Sequence, residues 1–235
     1  IDVEMSKPIV VYRETIFEKS PIVEGKSPNK HNRLYIQVEP LEEKVYEAMV
    51  AGEIPSEKEI KKKDLELFEK LAKLGMPYDE AKNILVIHNK NVFIDLTKGI
   101  QYMNEVIDMV KDAFCEVAED GPLAREPCLK VKVKLIDTEL HEDPVHRGPG
   151  QIMPAVRYAI RQAMLRANAT LLEPKQIIRI DAPSELIGGV AREIENRRGQ
   201  ILDMKEERGV SIITAKMPVS DMFGFDAALK SATSG

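Results

Sequence analysis

The chain has 235 residues, 43% of them hydrophobic and 31% charged, and carries a net charge of −5. That much apolar side chain excludes intrinsic disorder and suffices for one large or two modest domains. The acidic balance excludes a protein that coats nucleic acid with its whole surface, so any RNA contact is local, made by a few positive loops.

No apolar run approaches the roughly 20 residues that span a bilayer, and no membrane partner is expected. The opening Ile1-Asp2-Val3-Glu4 lacks an initiator Met, a basic leader and an apolar signal core, so the chain reads as a piece of a longer cytoplasmic protein. Glu and Lys dominate the charge and Trp is absent, a bias of heat-adapted proteins. The spacing of Cys115 and Cys128 matches neither CxxC nor a zinc framework. Both read as buried, reduced thiols.

Residues 7–16 open with Ile9-Val10-Val11-Tyr12 and read as a strand with no partner nearby, the end of a preceding domain. Residues 20–33 carry Pro, Ser, Asn and basic side chains, which is loop chemistry. Leu34, Ile36 and Val38 alternate with polar residues and predict a strand up to Pro40. Residues 41–83 read as helical, with Leu65, Phe68, Leu71, Ala72 and Leu74 at helical spacing and a stop at Gly75. Lys61-Lys62-Lys63 reads as a solvated face of that helix, with an RNA-facing patch as the alternative. Ile84–Ile87 and Val92–Leu96 flank Asn89-Lys90-Asn91 and predict paired strands, with His88 a hydrogen-bonded structural histidine. Residues 101–118 form an amphipathic helix facing inward through Met103, Val106, Ile107, Val110, Phe114 and Val117.

After Gly121-Pro122, Leu129, Val131, Val133 and Leu135 alternate with Lys130, Lys132 and Lys134. This predicts a half-buried strand with a lysine-bearing outer face. The loop 139–150 leads into a helix over 151–168. Leu171–Pro174 reads as a junction, followed by strand 176–181, helix 185–197, strands 200–206 and 210–216, and helix 219–231. That βαββα order is a split βαβ sandwich short of its last strand.

Two motifs resemble sites and fail the chemistry. Gly25-Lys26-Ser27 lacks the first glycine of GxxxxGK[ST], since Ser20 stands there, and a strand follows where a phosphate loop needs a helix. His141, Glu142 and His146 suggest a metal site, but the two histidines are five apart with Pro144 between them. No metal and no cofactor are expected.

The loop Asp143-Pro144-Val145-His146-Arg147-Gly148-Pro149-Gly150 sets proline and glycine on both sides of a histidine. Prolines limit φ and glycines permit tight turns. The helix start near Gln151, with Arg147 alongside, is a ready anion site. Residues 26–33 form a second positive loop. It precedes strand 34–38 as the His146 loop follows strand 129–136. If those strands are antiparallel neighbours, Lys30, His31, Arg33, His146 and Arg147 share one basic tip.

SPNKHNR at 27–33 and LHEDPVHRGPGQ at 140–151 resemble the two tip loops of domain IV of elongation factor 2, the GTP-driven translocation factor of archaea and eukaryotes. SKPIVVYRET at 6–15 resembles the end of its domain III, and residues from 174 onward resemble most of domain V. The resemblance covers the whole chain and implies 1–16 as the end of domain III, 17–172 as domain IV and 173–235 as a truncated domain V. It implies an α/β (α+β) fold, ribosomal protein S5 domain 2-like in domain IV and ferredoxin-like in domain V. It implies a tip that enters the ribosomal decoding site against rRNA, tRNA and mRNA, through Lys26, Ser27, Asn29, Lys30, His31, Asn32, Arg33, Asp143, Arg147, Gly148, Gly150 and Gln151. His146 matches the histidine converted to diphthamide, which makes the diphthamide-synthesis enzymes and ADP-ribosylating toxins partners. GTP and Mg belong to a GTPase domain outside this chain, so the fragment is not itself an enzyme. Eukaryotic members read HRGGGQ where Pro149 stands here, which favours an archaeal source. The competing readings are an unrelated RNA-binding α/β module and a metal-dependent hydrolase using His141, Glu142 and His146.

Overall fold

The computed structural model describes residues 9–60 and 64–233. The described residues fall into two compact units, 13–172 and, in the other, 9–12 with 173–233. The lysine run 61–63 lies outside the described residues.

The larger unit begins with β1 (Arg13–Ile16), which pairs antiparallel with β8 (Ala169–Leu172). Of the strand expected over 7–16, residues 13–16 form it and have a partner in β8, residues 9–12 are not in a strand, and residues 7–8 lie outside the described residues. Glu14 explains the anchoring. Its carboxylate is fully buried and accepts backbone N–H bonds from Leu123 (2.7 Å), Ala124 (2.8 Å) and Glu126 (3.1 Å).

Six strands form the main sheet: β2 (Val23–Lys26), β3 (Arg33–Pro40), β4 (Lys58–Glu59), β5 (Ile84–His88), β6 (Asn91–Asp95) and β7 (Val131–Glu139). Their order is β2-β3-β7-β6-β5-β4. All neighbours are antiparallel except β6 and β7, which are parallel and joined through α4 (Met103–Glu119). A parallel pair needs such a crossover. The helix α5 (Pro149–Leu165) packs beside α4, on β2 and β3. Gly25 makes that approach possible, because a Cβ there would collide with the Ala155 carbonyl and lie 2.9 Å from the Ala159 Cβ. The glycine of the GKS triplet is therefore a packing residue.

The predicted helix over 41–83 is broken into α1 (Glu43–Val50), α2 (Leu65–Lys73) and α3 (Tyr78–Ala81). Gly52, with φ 76°, and Pro77, which precedes α3, interrupt it. These helices pack with Ile84, Ile87, Val92 and Ile94 in one core cluster, while Leu34, Ile36, Val38, Phe93, Val131, Val133 and Leu135 form another with α4 and α5.

The lysine face of β7 is not an outer face. Lys132 and Lys134 are 1% and 4% exposed. They stand in register with Val92 and Ile94, on the side that the 41–96 segment covers. Lys132 pairs with Glu39 (2.8 Å), Glu42 (2.5 Å) and Glu80 (2.7 Å), and Lys134 pairs with Glu39 and Glu80. Burial alone would push the Glu39 carboxyl up, but the two ammonium groups outweigh it and hold it at about 2. Burial works against charge on Lys132 too, and its three carboxylate partners hold it above the usual lysine range.

The smaller unit contains β9 (Lys175–Pro183), α6 (Ile187–Asn196), β10 (Gln200–Glu207), β11 (Val210–Pro218) and α7 (Phe225–Ala232). The antiparallel strand order is β10-β11-β9. Its core is Ala182, Val190, Ile194, Ile213, Ala215, Met217 and Phe225. The predicted helix over 219–231 is split into a 3-10 turn at Val219–Asp221 and α7, with Gly224 at φ 74° between them. Both units mix helices and strands, as the α+β reading requires. Among the described residues no helix is long and apolar enough to cross a membrane.

Candidate functional site

The β3–β7 register places the two loops together. Arg33 opposes Glu139 and Leu34 opposes Thr138 in an antiparallel pair. The loop entering β3 and the loop leaving β7 therefore emerge at one end of the sheet. The condition set on the sequence is met.

Hydrogen bonds then weld the loops into one body. Asn32 is fully buried. Its amide nitrogen donates to the His146 carbonyl (2.7 Å), and its side-chain oxygen accepts from the His141 N–H (3.0 Å). Asn29 donates a second bond to the His146 carbonyl (3.1 Å), and its own N–H donates to Gln151 Oε1 (2.8 Å). Ser27, 2% exposed, accepts the Asn32 N–H (2.9 Å) at its hydroxyl. Ser27, Asn29, Asn32 and Gln151 thus build the tip from within; as contacts for an outside partner, Ser27 and Asn32 are excluded by burial.

The second loop winds as a 3-10 turn over Pro144–Arg147, capped by the Asp143 carboxylate, which accepts from the Val145 N–H (3.0 Å). Pro149 is the first residue of α5, two residues earlier than the predicted start. There its fixed φ suits the helix and its missing N–H costs nothing. Gly148 caps α5 in extended geometry (φ −66°, ψ 167°), and neither Gly148 nor Gly150 is left-handed. The turn is made by proline and Asp143, not by glycine freedom.

Arg147 is a correction. It is 2% exposed, donates to the carbonyls of His141 and Glu142, pairs with Glu105, and lies 4.1 Å over the Tyr102 ring. Its charge is consumed inside the protein and does not face an anion beside α5. Arg33 is half-buried and divided between Glu24 (3.3 Å) and Glu139 (3.7 Å). Lys26, Lys30 and His31 are exposed at the tip, as is Asp143, and Lys30 adopts a left-handed φ of 66°. The basic tip is narrower than its composition suggests.

His31, His141 and His146 come together; the sequence pairs His31 with His146 on one tip and His141 with His146 in one loop, but does not assemble all three. Their ring centroids are 4.9 Å (His31–His141), 4.6 Å (His31–His146) and 4.6 Å (His141–His146) apart. No spacing rule finds such a trio, because the rings come from two loops over a hundred residues apart.

The remaining candidates are structural. His88 lies between Glu57 (2.9 Å) and Glu119 (2.7 Å). Cys128 is buried and its thiol is pushed up to about 12 by burial; Cys115 is only half-buried, and burial still lifts it to about 11. Neither is a poised thiolate. Glu39, Glu42 and Glu80 bring three carboxylates within 4.8 Å of one another, and Lys132 and Lys134 supply the cations among them.

Residues 52–168 match the family model of elongation factor G, domain IV, and residues 170–235 match that of the elongation factor G C-terminus. These two modules place the chain in the elongation factor G class by sequence and adjoin in the order that the two compact units follow. The chain is 53% identical to elongation factor 2 of Thermococcus sibiricus and 54% identical to those of Pyrococcus horikoshii and Thermococcus kodakarensis. Each similarity covers the whole chain and 32% of the relative, so the chain spans about a third of their length. The chain belongs to the elongation factor 2 family, of which it carries the C-terminal part.

Proposed function

We propose that this chain is the ribosome-facing arm of a GTP-driven translocation factor, acting in the cytoplasm. The observation that carries the reading is the antiparallel pairing of β3 with β7, which sets His146 on a rigid tip beside Lys30 and His31. Rigid elements place loop residues more accurately than mobile ones. The tip approaches the decoding site by the charge of Lys26 and Lys30, while the acidic body is repelled by RNA. Contacts to phosphate position without reading sequence, which suits a factor that serves every codon. The modification of His146 to diphthamide extends its reach toward the codon–anticodon backbone, and diphthamide-synthesis enzymes and ADP-ribosylating toxins act at the same residue. Hydrolysis of GTP with Mg belongs to the parent's GTPase domain; the fragment has no part in it.

The test is peptide mass spectrometry across Leu135–Arg157 on the protein from its native host, paired with ribosome binding across a salt series. The reading expects a mass increase localised to His146 and weaker binding on Lys30→Ala. Bare His146 in native material overturns the modification, and identical salt dependence in the variant overturns the tip.

A further inference from the structure

We infer that His31 and His141 are positioning residues for His146: they hold its imidazole in the one orientation that a modifying enzyme accepts. This rests on the reading that His146 is the modified residue.

An imidazole on an exposed loop has two side-chain torsions and samples several staggered wells. Here the backbone and the ring are both fixed. The His146 N–H donates to the Asp143 carbonyl (3.1 Å), and its carbonyl is held by Asn29 and Asn32. Two neighbouring rings pack against it. His31 lies against it at 4.6 Å with a tilt of 49°, and His141 meets it nearly edge-on, at 4.6 Å and 82°.

Each flanking ring is itself placed by something outside the trio. The Lys30 N–H donates to the Ser27 carbonyl (2.8 Å), and Lys30 takes a left-handed φ of 66°, which folds His31 back onto the second loop. A non-glycine residue enters that region at a cost. The His31 N–H donates to Asn29 Oδ1 (3.1 Å). The His141 Nδ1 in turn accepts the Asp143 N–H (3.1 Å), which turns that ring one way. His146 nevertheless stays half-exposed, which leaves part of its ring open to a partner. Pre-set geometry of this kind is what raises the rate of a reaction at a single atom.

The test uses this chain expressed in archaeal cells that carry the modifying enzymes, as wild type, His31→Ala, His141→Ala and His31→Phe. The modified fraction of His146 is read by peptide mass spectrometry. Thermal unfolding and the His146 ring proton shift by NMR are read on the same proteins. The expected result is a drop of at least about tenfold in modified fraction for both alanine variants. The melting point stays put, the His146 ring shift moves, and His31→Phe recovers most of the modification because it restores a flanking ring. A wild-type protein that is modified, with alanine variants modified to the same extent, overturns the positioning role alone. A wild-type protein left bare overturns both this inference and the reading beneath it. Loss in the alanine variants without recovery in His31→Phe overturns ring packing as the cause.

Discussion

The amide nitrogen of Asn32 lies 2.7 Å from the carbonyl oxygen of His146, across 114 residues of chain. That single side chain also receives the His141 N–H and is fully buried. Asn32→Ala takes from the part-buried His146 carbonyl one of its two side-chain donors and from the His141 N–H its acceptor. The expected loss is about 2–3 kcal/mol in urea unfolding. Asn32→Asp is at least as damaging, because a carboxylate oxygen replaces the donor that faces the carbonyl. An alanine variant within about 0.5 kcal/mol of wild type would remove Asn32 as the link between the loops.

Arg147 and Lys30 separate by experiment although both are tip cations. Arg147→Ala takes the donor from the carbonyls of His141 and Glu142 and the buried side chain from the Tyr102 ring, so it costs about 2–3 kcal/mol of stability. Lys30→Ala leaves stability unchanged within about 0.5 kcal/mol and reduces the slope of log binding constant against log salt by about 1. Ribosome binding over a salt series together with urea unfolding gives both quantities. The assignment is wrong if Arg147→Ala unfolds like wild type.

These residues mark what a sequence reveals. The alternation at 34–38 and 131–135 identifies two strands, and the pairing of those strands follows the loop argument. Alternation reports that a strand has two faces and says nothing of what covers the second, so Lys132 and Lys134 read as solvated. Arg147 reads the same whether it faces an anion or fills a cage of carbonyls. Asn32 and Ser27 look like loop polarity because their partners lie in a distant loop. The family motif located His146, and the loop argument put His31 on the same tip; only the assembled fold packs the rings of His31 and His141 against it.

Gly25→Ala is predicted to destabilise through contact with α5 rather than through any nucleotide. The added Cβ collides with the Ala155 carbonyl and sits 2.9 Å from the Ala159 Cβ, and such overpacking costs about 1–3 kcal/mol. Thermal unfolding with and without GTP is the measurement. A variant of wild-type stability would mean that β2 and α5 are not in close contact.

The buried charges at Glu39 and Lys132 make a pH prediction. Glu39 is held at about 2 in the folded protein against 4.5 ordinarily. A depressed carboxyl contributes stability that is complete above its unfolded value and is lost as pH falls through the folded one. The Glu39 contribution is therefore full above about pH 4.5 and drains toward pH 2. Lys132→Met removes the ammonium that pairs with Glu39, Glu42 and Glu80, leaving three half-buried carboxylates short of a cation, at a cost of about 3 kcal/mol near neutral pH. Protonating Glu39 relieves the variant more than the wild type, where the ammonium groups hold its carboxyl low. The stability gap between them should narrow as pH falls from about 5 to 2, as read by urea unfolding at each pH. A gap that stays constant over that interval would show that the Lys132 ammonium is not what holds the Glu39 carboxyl low.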